Sequence, residues 1–216
     1  MYRTVIFDLG RVLVNFDFRR GFEAMSNSCP YSGPEIPQLL SRTTLVEELE
    51  TGRIEPRAFF SRMRDVLRMQ LEYQQFCEIW SSIFTEVLVP ESLVQGLAAG
   101  YRMLLLSNTN AIHFEMIRRD YPVLRHFHHM ILSHEVGFAK PDRRIYEETL
   151  KHAGCPAGEC FYTDDVLEYV TAARELGIDA VQFESAVQLE RELRCRGIVW
   201  DKKSRAPART PGEEHL

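Results

Sequence analysis

Residues 4–10 read Thr-Val-Ile-Phe-Asp-Leu-Gly. Four β-branched or aromatic residues form an apolar run that an acid and a glycine then interrupt. The run is too short for a helix and has the composition of a strand buried on both faces. Asp8 therefore stands where this strand leaves its sheet. Four further runs of the same kind follow, at 103–106, 129–132, 160–162 and 179–183. Helical patterns come after four of the five, at 111–119, 142–153, 166–176 and 186–196, and Gly154 and Gly177 occupy positions suited to helix C-caps. Strand and helix in alternation predict an α/β fold, a Rossmann-like parallel sheet core with helices on both faces.

The interval 17–89 breaks the rhythm. It offers amphipathic stretches at 45–50, 56–67 and 72–84, separated by Cys29-Pro30, Ser32-Gly33-Pro34 and Thr51-Gly52. This pattern predicts a small α-helical cap domain over 17–89, inserted into a core made of 1–16 and 90–201. Pro90 opens a helix at 91–99 that returns the chain to the sheet. The tail 202–216 mixes charge with Pro, Gly, Ser and Thr, a composition expected to be disordered.

Composition sets outer bounds. Apolar residues make up 45% of the 216 and aromatics 11%, enough for a full core, and the net charge of −5 gives no basic surface of the kind nucleic acid requires. No apolar run approaches the roughly 20 residues needed to span a bilayer, and the N-terminus lacks a secretory pattern, so a cytoplasmic protein is expected. Five scattered cysteines form neither a disulfide framework nor a complete zinc site.

In an open parallel sheet, ligands gather beyond the carboxyl ends of the strands. The polar residues expected there are Asp8, Ser107-Asn108, Lys140 and Asp164-Asp165. Three carboxylates in one crevice repel each other unless a cation sits among them, and hard oxygen donors suit Mg²⁺. A lysine and a hydroxyl beside them suit the oxygens of a phosphate group.

The order Asp8-Leu-Gly, Ser107-Asn-Thr-Asn, Lys140-Pro-Asp and Asp164-Asp165 resembles the haloacid dehalogenase superfamily over nearly the whole chain to about Arg196. It is most similar to the branch that includes alpha-D-glucose-1-phosphate phosphatases, which carry a helical cap between the first and second motifs. The resemblance implies a Mg²⁺-dependent phosphatase acting on a small phosphorylated metabolite. In it Asp8 attacks phosphorus to give an aspartyl phosphate. The Gly10 carbonyl, Asp8 and Asp165 hold the metal, with Asp164 beside them. Ser107, the Asn108 amide and Lys140 hold the transferring phosphate. The spacing to Gly177 favours Asp165 over Asp164 as the direct ligand.

Two positions depart from that pattern. The general acid usual two residues after the nucleophile is replaced by Gly10, which implies a preference for leaving groups stable as anions, such as a sugar 1-phosphate. Tyr169 stands where relatives place Asn or Asp to order metal-bound water. His113 reads as a helix-surface histidine, Arg11 as a solvent-facing side chain, and His126, His128, His129 and His134 as structural or surface residues. Phe59, Phe60, Phe76, Trp80 and Phe84 read first as the cap's own core. Two other functions stay open on sequence: a metal-free 2-haloacid dehalogenase, which Asp164-Asp165 disfavours, and a feebly active protein that binds a phosphometabolite or a partner.

Overall fold

The computed structural model describes residues 1–201, and the tail 202–216 lies outside the described residues. In chain order the strands are β1 (Thr4–Phe7), β2 (Val14–Phe16), β3 (Phe84–Val87), β4 (Arg102–Ser107), β5 (His129–Leu132), β6 (Cys160–Asp164) and β7 (Asp179–Gln182). Five helices lie between β2 and β3: α1 (Phe18–Ser26), α2 (Glu35–Leu40), α3 (Leu45–Glu50), α4 (Pro56–Leu67) and α5 (Tyr73–Ser81). The remaining six are α6 (Glu91–Ala98), α7 (Ala111–Asp120), α8 (Ser133–Val136), α9 (Arg143–Ala153), α10 (Leu167–Glu175) and α11 (Ala186–Cys195).

The main sheet has the order β5-β4-β1-β6-β7, with every pairing parallel. The central strand β1 is buried along its whole length, as a strand covered on both faces must be. Its side chains alternate between two cores. Val5 and Phe7 join one cluster with Leu97, Leu105, Phe161 and Leu189, while Ile6 joins the other with Leu104, Ile145, Tyr162 and Val170. The sheet is a Rossmann-like layer with helices on both faces.

Register decides what happens at the carboxyl edge. Phe7 pairs with Leu105 on one side and Thr163 on the other. The next row along the strands therefore contains Asp8, Leu106 and Asp164. A slip of one residue would turn each of these side chains to the opposite face.

The helices α1–α5 bury a third cluster of their own, including Met25, Phe59, Met63, Phe76 and Trp80. Ile112, in the first turn of α7, inserts into that cluster and ties the cap to the helix that follows β4. The cap is joined to the sheet through an antiparallel ribbon of β2 and β3, in which Phe16 pairs with Phe84. The sequence pattern carries a helix to residue 84, whereas α5 stops at Ser81 and β3 begins at Phe84. Phe84 and Val87 are three residues apart, a helical spacing, and the strand is half-buried to exposed, so no alternation marks it.

The loop after α3 makes a second cap contact. Gly52 has φ +65°, and a Cβ there would overlap the backbone carbonyl of His134 in α8. Gly52→Ala is expected to cost about 1–3 kcal/mol in urea unfolding, since it adds left-handed strain to a steric clash. Gly100→Ala, with nothing within 4 Å of its Cβ position, should stay within about 0.5 kcal/mol of the parent.

Candidate active site

A cavity of about 250 Å³ opens at the carboxyl edge of β1 and β4, beneath the cap. Asp8, Gly10, Ser107, Asn108, Lys140 and Asp165 all line it. Asp164 sits just behind, fully buried. A larger groove of about 670 Å³ runs between α5 and α7, but none of these residues reaches it.

Lys140 organises the floor. Its Nζ donates to Asp8 Oδ1 and Asp164 Oδ2, both at 2.6 Å, and to the Leu106 carbonyl at 3.2 Å. These acceptors are the row that the sheet register lines up. Burial alone would pull the Lys140 ammonium down, but the charges of Asp8 and Asp164 overcome it and raise its pKa. Burial also pushes Asp8 up to about 7, with the charge of Asp164 adding to the effect and Lys140 opposing it. Asp164 accepts further from the Val166 amide at 2.9 Å and from the Tyr162 hydroxyl. Asp165 is half-buried and shifted upward, first by burial and then by Asp164.

The loop after β4 is fixed by paired contacts. Asn108 donates to the Lys140 carbonyl at 2.9 Å and accepts from the Lys140 amide at 2.7 Å, so the second and third motifs hold each other. Ser133 locks the next residue, accepting from the Thr109 amide and donating to its carbonyl, each at 2.9 Å. Asn110, rather than Ser107 or Asn108, caps α7, accepting from the His113 amide at 3.0 Å. This leaves Ser107 and Asn108 facing the cavity.

One histidine differs from its sequence-based reading. His113 is buried instead of lying on the helix surface. One ring nitrogen contacts the Trp80 carbonyl at 2.9 Å and the other the Asn110 side chain at 3.0 Å, which leaves it no free position for proton transfer. Burial lowers its pKa to about 4. Arg11 is exposed yet lines the cavity mouth, with φ 57° and its guanidinium 5.0 Å from the Phe16 ring centre. Tyr169 also lines the cavity. Lys140 Nζ lies 5.0 Å from its ring centre, and Asn108 is 3.5 Å from its hydroxyl.

His126 contacts Glu91 at 2.9 Å, His128 accepts from the Met103 amide, and His129 stacks on His152. Phe59, Phe76 and Trp80 are buried in the cap cluster and Phe60 packs against it, while Phe84 reaches the cavity. Glu50, Phe16, Phe18 and Ile83 line the cavity without having been singled out in the sequence. For Glu50 the sequence marks only a turn at Thr51-Gly52, and it is the structure that seats this turn against the His134 carbonyl.

Asp8, Asp164 and Asp165 offer oxygens that all lie within 4.8 Å of one another. Three carboxylates against one lysine leave negative charge in excess, and acidic oxygen donors of this kind fit a small hard cation. Among the described residues no helix is long and apolar enough to cross a membrane.

Fold and site together define an α/β protein with an acid–lysine centre at the carboxyl end of a parallel sheet. The model of the haloacid dehalogenase-like hydrolases matches residues 2–177, and the chain belongs to that family. D-ribitol-5-phosphate phosphatase from Bacteroides thetaiotaomicron is 25% identical over 200 residues, spanning 89% of this chain and 97% of that protein. A HAD family enzyme of the same organism, crystallised with magnesium and inorganic phosphate, matches with a TM-score of 0.78 and 27% identity over 86% of this chain and 96% of its own. A sesquiterpene phosphatase from Aspergillus oryzae is 24% identical over 198 residues, covering 89% and 95%.

Two outcomes follow from the floor of the site. Lys140→Ala leaves two buried carboxylates unpaired and should destabilise the fold by about 3–5 kcal/mol in urea titration. For His113, a folded pKa of about 4 against an ordinary 6.5 means the unfolded chain binds the extra proton between those values. Stability is therefore complete above pH 6.5 and falls as pH drops toward 4. His113→Gln should remove roughly 2 kcal/mol of that decline between pH 7 and 4.5, read as the difference between parent and variant unfolding curves.

Proposed function

We propose that the protein is a Mg²⁺-dependent phosphatase of small phosphorylated metabolites, working through an aspartyl phosphate on Asp8. The observation that carries this reading is the carboxylate trio of Asp8, Asp164 and Asp165 at the base of a small cavity, with Lys140 bridging Asp8 and Asp164 at 2.6 Å. A metal-free dehalogenation has no use for two further acids beside the nucleophile. Phosphoryl transfer does, because its transition state spreads negative charge that a cation must offset.

Asp8, Asp165 and the Gly10 carbonyl are the groups that would hold magnesium, which when bound neutralises charge on the phosphoryl oxygens and on the carboxylates. Asp164 keeps Lys140 in place and charged. Ser107, the Asn108 amide and Lys140 then receive the phosphoryl oxygens, and Asp8 Oδ is left to attack phosphorus in line with the departing oxygen. Tyr162 and the Val166 amide fix Asp164 in turn, so the charge pattern is set before substrate arrives.

The cavity is slightly smaller than the roughly 300–1,000 Å³ of typical drug-sized sites, which suits a small metabolite. Sugar and polyol phosphates are the first candidates. The similarity to a D-ribitol-5-phosphate phosphatase supports the polyol, and the branch resemblance supports glucose 1-phosphate. A screen of phosphorylated metabolites should show phosphate release that requires Mg²⁺ and is abolished by a chelator. Asp8→Asn should lower it by roughly 10³-fold or more. Halide release from chloroacetate without metal, or tight phosphometabolite binding with no turnover, would overturn this reading.

A further inference from the structure

In-line attack by Asp8 places the leaving oxygen on the side of phosphorus away from the sheet, facing the cap. An ordinary alkoxide leaves poorly unless it gains a proton there. Gly10 cannot give one, and the structure shows why the position stays empty: a Cβ on Gly10 would come within 2.6 Å of the Phe16 ring. The other candidates on the cavity wall are committed elsewhere. Lys140 is shared by two carboxylates, and Asp165 belongs to the acidic cluster on the sheet side. Both ring nitrogens of His113 are occupied. The Tyr169 phenol is made still less acidic, chiefly by burial.

Glu50 remains. It is the last residue of α3, it lines the cavity from the cap, and its carboxylate makes no hydrogen bond or ion pair with any other described residue. The neighbouring turn is seated against the α8 backbone at Gly52, which fixes where α3 ends.

Resting on the phosphatase reading, we propose that Glu50 is the proton donor to the leaving group and the base for the water that follows. As the Asp8–phosphorus bond forms, the phosphorus–oxygen bond breaks with its electron pair going to the leaving oxygen. The Glu50 carboxyl gives that oxygen its proton, and the alcohol departs. Water then attacks from the vacated side and yields a proton to the Glu50 carboxylate. The Asp8–phosphorus bond breaks, which returns both acids to their starting forms. Burial, aided by the charge of Glu47, raises the pKa of Glu50 and so favours the protonated state that the first half needs. Glu50 thus moderates the preference for activated leaving groups that Gly10 alone would impose.

The test compares two monoesters with the full-length Mg²⁺-loaded protein. One is p-nitrophenyl phosphate, whose leaving group needs no proton, and the other is the polyol or sugar phosphate turned over best. Glu50→Gln keeps the shape of the side chain but has no proton to transfer. Its kcat on the alkyl ester should fall roughly 10²–10³-fold, at least ten times more than on the aryl ester, with little change in KM. Glu50→Asp should recover part of the alkyl-ester rate. Equal losses on both esters, a rise confined to KM, no loss at all, or no recovery in a folded Glu50→Asp would each overturn the assignment. Release of phosphate from neither ester by the parent protein would instead remove the phosphatase reading, and this proposal with it.

Discussion

The Lys140 ammonium, held between Asp8 and Asp164, is the contact on which the rest of the site depends. Its acceptors are Asp8, just past the end of β1, and Asp164 of β6, with the Leu106 carbonyl of β4 as a third. They meet only because all three strands are in one register. Buried ion pairs of this kind add little net stability, since desolvation offsets most of their attraction. What they enforce is discrimination. A shifted strand would leave an uncompensated charge in the core, which costs several kcal/mol. The same constraint prepares the chemistry, because a carboxylate fixed by lysine on one oxygen has limited freedom to turn away from a substrate.

The cap is coupled to this floor through shared packing more than through polar contacts. Ile112 is buried in the cap cluster, yet it lies two residues after Asn110, which caps α7 and ends the loop that carries Ser107 and Asn108. His113, one residue on, packs flat against Trp80 of the cap, with ring centres 5.4 Å apart. Displacing the cap would expose Ile112, strip His113 of its Trp80 contact and disturb the helix start beside the loop of Ser107 and Asn108. The cap position and the order of the loop of Ser107 and Asn108 therefore depend on each other.

Much of the site was legible because strand ends can be read from short apolar runs. Asp8, Ser107, Asn108 and Asp165 are placed by the point where a buried run gives way to polar residues, Lys140 by its place before Pro141 between a strand and a helix, and all five line one cavity. What escaped depends on orientation across the junction. Glu50 ends an amphipathic helix, and nothing in its spacing says which partner the helix end faces. Phe16 falls in none of the apolar runs that mark strands, and it is the ribbon that turns its ring over Gly10. His113 was misplaced for a similar reason. The face of α7 that looks outward from the sheet is covered by the cap, so a position expected on the surface became buried.

Gly10 and Phe16 are best understood as one feature. Phe16 pairs with Phe84 in the ribbon and its ring fills the space a side chain at position 10 would need. On its other flank it carries the Arg11 guanidinium, an exposed cation–π contact worth about 0.5–1 kcal/mol. That contact offsets part of the cost of left-handed backbone at a non-glycine residue, which is about 1–2 kcal/mol. A side chain at position 10 would require the Phe16 ring to shift out of its ribbon packing. The turn after Asp8 thus carries glycine, with no proton to offer, where the ring of Phe16 fills the space. Under the phosphatase reading, an acid that serves the leaving group comes from across the cavity, where Glu50 lies.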